Sequence, residues 1–413
     1  MKMKKVEITP SDLSPDSSIK ISGSKSESNR VLILNSIFKN IKISNLSDSD
    51  DSVVLKYALE NLNKNIDIHH AGTAMRFLTA YLSTLDGGKF ILTGSKRMKE
   101  RPIGILVDAL KNLGFNINYL KKKGYPPLEI NGTKSEKSII KLKSDISSQF
   151  ISALILIGPT FKNGLTIELD GEIISKPYIN LTLNVLKRIG IGCSFRKNII
   201  KIDNVKEINP IEYLIESDWS SSSYFYSIVA IDKKINIKLS NFFKESFQGD
   251  SFIEKIFTKL GVKTEFLNQN EILLSPIGDY ERPSSLSFNL IDNPDLAQTV
   301  AVTCLALKIQ VKITGLQTLK IKETDRILAL HNELSKLGAK IIFDDASIEI
   351  IPPVNFNKNI EIFTYDDHRM ALSFAPLGLI TPLIINDPDV VTKSFPSYWN
   401  DLLQLNFNLK FKN

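Results

Sequence analysis

The sequence predicts a mixed α/β protein of two domains with three similar units each, and three observations lead there. The chain has 413 residues, against the roughly 100–200 that one domain usually holds. A helix-ending step recurs six times, closing at Asn63, Gly114, Gly190, Gly261, Gly338 and Asn406, so the successive gaps are 51, 76, 71, 77 and 68 residues. Runs rich in β-formers lie between these steps, at 89–93, 235–239, 311–314 and 340–343.

Each step has the form of Ala109-Leu110-Lys111-Asn112-Leu113-Gly114 or Glu333-Leu334-Ser335-Lys336-Leu337-Gly338. It ends in Gly or Asn, the types that most readily adopt the left-handed conformation that closes a helix. Units of this spacing point to duplication, although common helix-cap chemistry alone also produces such matches. The midpoint of six units falls near 204–217, where Asn, Asp, Glu and Pro thin out the apolar pattern.

With 43% hydrophobic and 23% charged residues the composition is that of a globular chain. The lysine-rich opening is followed by no apolar core of a secretory signal, and the apolar run 150–159 is too short to cross a bilayer. Cys193 and Cys304 support neither a disulfide framework nor a thiolate metal site, and the four histidines lack metal-ligand spacing. The expectation is a cytoplasmic protein with no metal, no cofactor and no membrane segment.

A net charge of +7 admits nucleic acid or small anionic substrates. Only nine of the 52 basic residues are Arg, and Arg30, Arg76, Arg101, Arg326 and Arg369 fall at Ser-, Thr- or Gly-marked segments. Arg grips a carboxylate or phosphate with a planar fork that Lys cannot imitate.

The first such segment is Gly23-Ser24-Lys25-Ser26-Glu27-Ser28-Asn29-Arg30, which runs into an apolar block. Ser before an apolar run marks a helix start. Lys25 in the first turn opposes the helix dipole, a conflict that a bound anion would remove. The segment is not a Walker A loop, since Ser24 stands where that motif needs Gly.

Further helix starts follow in order: Gly72-Thr73-Ala74-Met75-Arg76, Ser147-Ser148-Gln149 and Asp218-Trp219-Ser220-Ser221-Ser222-Ser223. Then come Asn293-Pro294-Asp295, Lys322-Glu323-Thr324-Asp325-Arg326 with Thr324 as the natural cap, and Asp366-Asp367-His368-Arg369. Asp295 serves either as a first-turn acid favoured by the dipole or as a base. Lys393, taken alone, reads as a surface lysine. Cations at helix starts with a few acids among them fit chemistry on a phosphorylated carboxylate. No Ser/His/Asp triad or nucleophilic Cys is evident.

Seven segments together resemble the EPSP synthase family of enolpyruvyl transferases, the 3-phosphoshikimate 1-carboxyvinyltransferases. They are the Gly23–Arg30 segment, Ala71-Gly72-Thr73-Ala74-Met75-Arg76, Arg97-Met98-Lys99-Glu100-Arg101-Pro102-Ile103, Ser147-Ser148-Gln149-Phe150, Ser175-Lys176-Pro177-Tyr178, Lys322-Glu323-Thr324-Asp325-Arg326 and Asp367-His368-Arg369-Met370. The resemblance implies a two-domain inside-out α/β barrel with three β-α-β-α-β-β repeats per domain and helices inside. It places the first domain at 23–216, the second at 1–22 with 217–413, and the active site in the cleft between them.

The same resemblance implies transfer of the enolpyruvyl group of phosphoenolpyruvate to the 5-hydroxyl of shikimate 3-phosphate, through a non-covalent tetrahedral intermediate. By matching positions, Lys25, Gly72, Arg101, Gln149, Arg326, Arg369 and Lys393 hold phosphoenolpyruvate. Lys25, Ser26, Arg30, Ser147, Ser148, Gln149, Ser175 and Lys322 hold shikimate 3-phosphate. Asp295, Glu323 and Lys25 carry the proton transfers, with the division between the two acids left open. Three positions depart from the family pattern: Phe77 replaces a common Pro, His70 a common Asn, and Thr318 stands where a substrate-contacting Asn is expected. The alternatives are the sister transferase acting on UDP-N-acetylglucosamine, whose mobile-loop cysteine neither Cys193 nor Cys304 matches, and a non-catalytic polyanion binder.

Overall fold

The computed structural model describes residues 4–143, 147–171, 173, 175–268 and 270–412; the first three residues of the lysine-rich opening lie outside that set. The chain divides into two compact units, Gly23–Ile215 and a second made of Met1–Ser22 with Glu216–Asn413.

The first unit carries α1 (Lys25–Phe38), α2 (Asp50–Glu60), α3 (Gly72–Ser83), α4 (Gly104–Asn112), α5 (Ser148–Ile157) and α6 (Lys176–Arg188). The second carries α7 (Trp219–Asp232), α8 (Ile253–Thr258), α9 (Ala297–Ala306), α10 (Arg326–Lys336), α11 (His368–Phe374) and α12 (Tyr398–Gln404). Odd-numbered helices form the interior of each unit. Every residue of α3, α9 and α11 is buried, as is nearly all of α5 and α7. The even-numbered α4, α6 and α10 bury one face only, as expected for helices between a core and water. Strands alternate in the same sense, with Lys5–Thr9 and Ile139–Lys143 burying every second residue.

The sheets explain the six repeats. In Asn65–Asp67, Lys89–Thr93, Leu128–Asn131 and Asn116–Tyr119, the first pair is parallel and the other two pairings are antiparallel. The same order recurs in the sheet containing Leu165–Asp170 and in all three sheets of the second unit. The parallel pair needs a helical crossover and the hairpin does not, which yields the β-α-β-α-β-β order that the family resemblance implies.

One unit is shortened. Ile211–Leu214 pairs in parallel with Ile41–Ser44, and among the described residues no hairpin joins them. The helix-ending steps record this difference. Gly114, Gly190, Gly261, Gly338 and Asn406 all have φ between 71° and 101°, and each leads into a hairpin strand or its counterpart. Asn63 is not left-handed; α2 ends at Asn61 with φ −126° and passes directly to the next unit.

The N-terminal strand Lys5–Thr9 lies between Leu383–Asn386 and Asn408–Lys412, antiparallel to both. Among the described residues no helix is long and apolar enough to cross a membrane.

Candidate active site

Every interior helix starts at one of the marked segments, and the structure shows what each start holds. In the first unit, Ser24 caps α1 by accepting from the Glu27 amide at 3.4 Å, and Lys25 is the first helical residue, half-buried. Glu27 relieves part of the dipole conflict that Lys25 creates. It is buried, and it accepts a 2.8 Å hydrogen bond from the Tyr213 hydroxyl. Gly23 is required by packing rather than by a ligand, because a Cβ there would lie 1.8 Å from the Asn45 carbonyl oxygen.

Arg30 is turned inward. Its Nε donates to Thr182 Oγ1 at 2.7 Å, and its terminal nitrogens donate to the Ser26 carbonyl at 2.6 Å, Ser152 Oγ at 3.1 Å and the Tyr178 carbonyl at 3.2 Å. Burial pushes its pKa down to about 10. The departure Phe77 takes part here, its ring centroid 5.4 Å from the guanidinium carbon. Arg30 thereby ties α1, α5 and α6 together just behind Ser26.

The start of α3 abuts Arg101. A Cβ on Gly72 would lie 2.6 Å from an Arg101 terminal nitrogen, and Arg101 Nε is buried without a hydrogen-bond partner among the described residues. Arg76, to which the sequence assigned no role, braces both sides of this contact. It donates to the Gly72 carbonyl at 3.1 Å and to the Pro102 carbonyl at 3.3 Å. Gln149, in the first turn of α5 behind its cap Ser147, reaches Thr73 Oγ1 at 3.4 Å and so joins the starts of α3 and α5. Ser148 is the first residue of α5. Ser175 precedes α6 with φ 56° and ψ 41° while buried; a non-glycine residue held there costs on the order of 1–3 kcal/mol and such residues cluster at functional sites. Gly72→Ala is expected to push the Arg101 guanidinium aside and lower kcat/KM by roughly 10–100-fold with little change in melting temperature. Steady-state kinetics and a thermal melt check it.

In the second unit, seven charged side chains meet at the starts of α9, α10 and α11. Arg326, 1% exposed, donates from Nε to Asp367 at 2.7 Å and from its two terminal nitrogens to Asp295 and Glu323 at 2.8 Å each. Arg369 lies 3.2 Å from the second Asp295 oxygen, and Lys322 3.3 Å from the first. Lys393 Nζ lies 2.9 Å from Glu323 and is only 7% exposed, so it is no surface lysine. Burial drives the Asp295 pKa up, but Lys322, Arg369 and Arg326 together hold the carboxyl well below its usual 3.8. Burial opposes the charge of Arg326, and Asp367, Glu323 and Asp295 outweigh it, keeping the guanidinium firmly protonated.

Two details differ from the sequence reading. The cap of α10 is Asp325, whose side chain accepts from the Leu328 amide at 3.1 Å, and Thr324 lies one residue outside it. An Asp is the stronger choice because its charge also complements the dipole. Thr318 sits on the turn Gln317–Ile321 with its hydroxyl oxygen buried and unpartnered among the described residues.

Asp367 was missed as well. It caps α11 through the Arg369 amide and holds Arg326 from behind while fully buried. Its place inside the Asp-His-Arg-Met segment was the available signal.

A family model described as EPSP synthase (3-phosphoshikimate 1-carboxyvinyltransferase) matches residues 56–402. The chain belongs to the EPSP synthase family. A 3-phosphoshikimate 1-carboxyvinyltransferase of Bacteroides fragilis is 47% identical, with 95% of this chain and 96% of that protein covered. The one of Colwellia psychrerythraea is 37% identical, over 93% and 95%. Among solved structures, EPSP synthase from Acinetobacter baumannii superposes with a TM-score of 0.79 at 18% identity, covering 99% of this chain and 100% of that one. The enolpyruvyl transferase NikO from Streptomyces tendae gives 0.75 at 13% identity, over 99% of each chain. At those identities the structural likeness speaks for the fold; membership in the EPSP synthase family rests on sequence.

Proposed function

We propose that the chain transfers the enolpyruvyl group of phosphoenolpyruvate to the 5-hydroxyl of shikimate 3-phosphate, with release of phosphate, as a step of aromatic amino acid biosynthesis. The observation that carries the residue assignment is the assembly of Lys322, Arg326, Arg369 and Lys393 around Asp295 and Glu323. In this reading Arg326, Arg369 and Lys393 take phosphoenolpyruvate with Lys25, Gly72, Arg101 and Gln149. Lys322 takes shikimate 3-phosphate with Lys25, Ser26, Ser147, Ser148, Gln149 and Ser175. Arg30 acts on that substrate from one layer back, through Ser26 and Tyr178, and Thr318 offers its buried hydroxyl.

The reaction balances without a covalent enzyme adduct. The 5-hydroxyl oxygen bonds to the enol carbon of phosphoenolpyruvate as its proton passes to Asp295, and the methylene carbon gains a proton from Glu323 or Lys25. The tetrahedral ketal phosphate then loses phosphate as the methyl carbon returns a proton. With its pKa held low by three cations, Asp295 is a weak base until the substrates' negative charges neutralise those cations. Bound anions thereby restore its basicity at the moment it is used.

Two experiments test this. Phosphate is expected to appear only when both small substrates are present; release with UDP-N-acetylglucosamine in place of shikimate 3-phosphate overturns the reading. Arg369→Lys is expected to keep the charge yet lose at least roughly tenfold in kcat/KM, about 1.4 kcal/mol, because the fork is gone. Kinetics near those of the wild type remove Arg369 from a bidentate role. We further read the protein as a cytoplasmic monomer with no nucleic-acid partner, checked by light scattering and by the absence of salt-sensitive DNA binding.

A further inference from the structure

Asp250 is a buried acid of the second unit that the scheme above does not use. It lies on the turn Gly249–Phe252 that leads into α8. One oxygen accepts a short hydrogen bond from the Ser220 hydroxyl, and Ser220 Oγ in turn accepts from an Arg369 terminal nitrogen at 3.4 Å. The other oxygen accepts from the Asn293 side-chain amide at 3.4 Å, and Asn293 opens the turn that bears Asp295. Tyr224, one helical turn beyond Ser220 on α7, receives the second terminal nitrogen of Arg369 at 3.5 Å.

The acid is therefore joined to Arg369 through the Ser220 hydroxyl and to the Asp295 turn through Asn293, the residue that opens it. We propose that Asp250 is a positioning residue that aims the Arg369 guanidinium through the Ser220 hydroxyl and steadies the Asp295 turn through Asn293. The inference rests on the reading that Arg369 holds phosphoenolpyruvate.

The chemistry of the chain of hydrogen bonds sets its dependence on charge. Ionised Asp250 can only accept, so it fixes the Ser220 proton toward itself and leaves the hydroxyl lone pairs to Arg369. Protonated Asp250 has a donor of its own; donating to Ser220 leaves one hydroxyl lone pair instead of two for Arg369 and releases the Ser220 proton from its fixed direction. The charged groups facing Asp250 are Asp295 from the turn before α9, Arg369 from α11 and Asp218 from the start of α7. Burial and Asp295 raise its pKa, Arg369 lowers it, and the balance stands at about 6.

Side-chain nitrogen NMR of the full chain labelled with ¹⁵N-arginine reads this link without substrate, the Arg369 signal being identified by its loss in Arg369→Lys. That signal is expected to move with a midpoint near pH 6, and the movement to vanish in both Asp250→Asn and Ser220→Ala. In kinetics, each substitution is expected to raise KM for phosphoenolpyruvate about tenfold, the scale of one hydrogen bond to a charged group. The KM for shikimate 3-phosphate should hold, and the double variant should be no worse than either single one. A pH-dependent Arg369 signal that survives Asp250→Asn overturns the proposal, as do losses that multiply in the double variant. If Asp250→Asn does not fold, Ser220→Ala alone decides by the same signal. An NMR link with an unchanged KM for phosphoenolpyruvate upholds the positioning and instead overturns Arg369 as a holder of that substrate.

Discussion

Arg326→Met is expected to lower the stability of the protein by about 3–5 kcal/mol, the cost of leaving a buried charge without its partner. The guanidinium holds three carboxylates at 2.7–2.8 Å, and one of them, Asp367, is fully buried. Methionine fills most of the volume but answers none of the charge, so the loss is electrostatic rather than a cavity. Two controls separate these causes in denaturant unfolding. Asp367→Leu added to Arg326→Met should recover part of the loss, since an apolar pair in place of a buried ion pair is often neutral. Lowering the pH should also narrow the gap between variant and wild type, because protonation discharges the stranded acids in the variant first.

The sign for the wild type follows from Asp295. A carboxyl whose folded pKa is depressed contributes stability that is complete above its unfolded value, near 3.8, and disappears as the pH falls through the folded value. The cluster is therefore intact at neutral pH and fails only in strong acid. Asp250 has the opposite sign. Its folded pKa, raised to about 6, contributes stability below the unfolded 3.8 that is lost as the pH rises through about 6.

Asp295→Asn carries the second large effect, a fall in kcat of roughly 10²–10⁴-fold, the range for loss of a general base. The same substitution takes one negative charge from beside Lys322, Arg326 and Arg369. Anionic substrates then have one carboxylate fewer to displace, so KM for phosphoenolpyruvate is expected to stay level or fall. A rise in KM with kcat preserved would reassign Asp295 from proton transfer to binding. Stopped-time phosphate release over a range of phosphoenolpyruvate concentrations separates the two.

How far the sequence could be read depended on what each signal is made of. The helix-ending steps were legible because an amphipathic outer helix such as α4 or α10 must end in water, where Gly or Asn closes it. The interior helices carry little such signal; α9, buried all round, shows no polar face for a period to reveal. The cations of the second unit were legible as Arg and Lys at helix starts, but their partners were not. Asp367 reads as an ordinary cap, and its second duty, holding Arg326 across 41 positions of sequence, exists only after folding. Lys393 gives no local sign of burial at all, because the group that accepts it, Glu323, lies 70 residues earlier. The inward turn of Arg30 was hidden for the same reason, since its acceptors come from α5 and α6.

The placement of Lys5–Thr9 between two strands that follow residue 382 bears on biosynthesis. During translation at about 5–20 residues per second, this segment waits some 20–75 s for its neighbours to leave the ribosome. Gly23–Ile215, a compact unit made of one continuous stretch of chain, has by then left the ribosome whole. The waiting strand guards itself with charge, alternating Lys5 and Glu7 with Val6 and Ile8 and ending before Pro10, a pattern that discourages self-association of nascent chains. A circular permutant that moves this segment behind residue 412 would shorten the delay, so the soluble fraction from cell-free translation should rise, while refolding of the complete chain, in which no segment waits for synthesis, should not change.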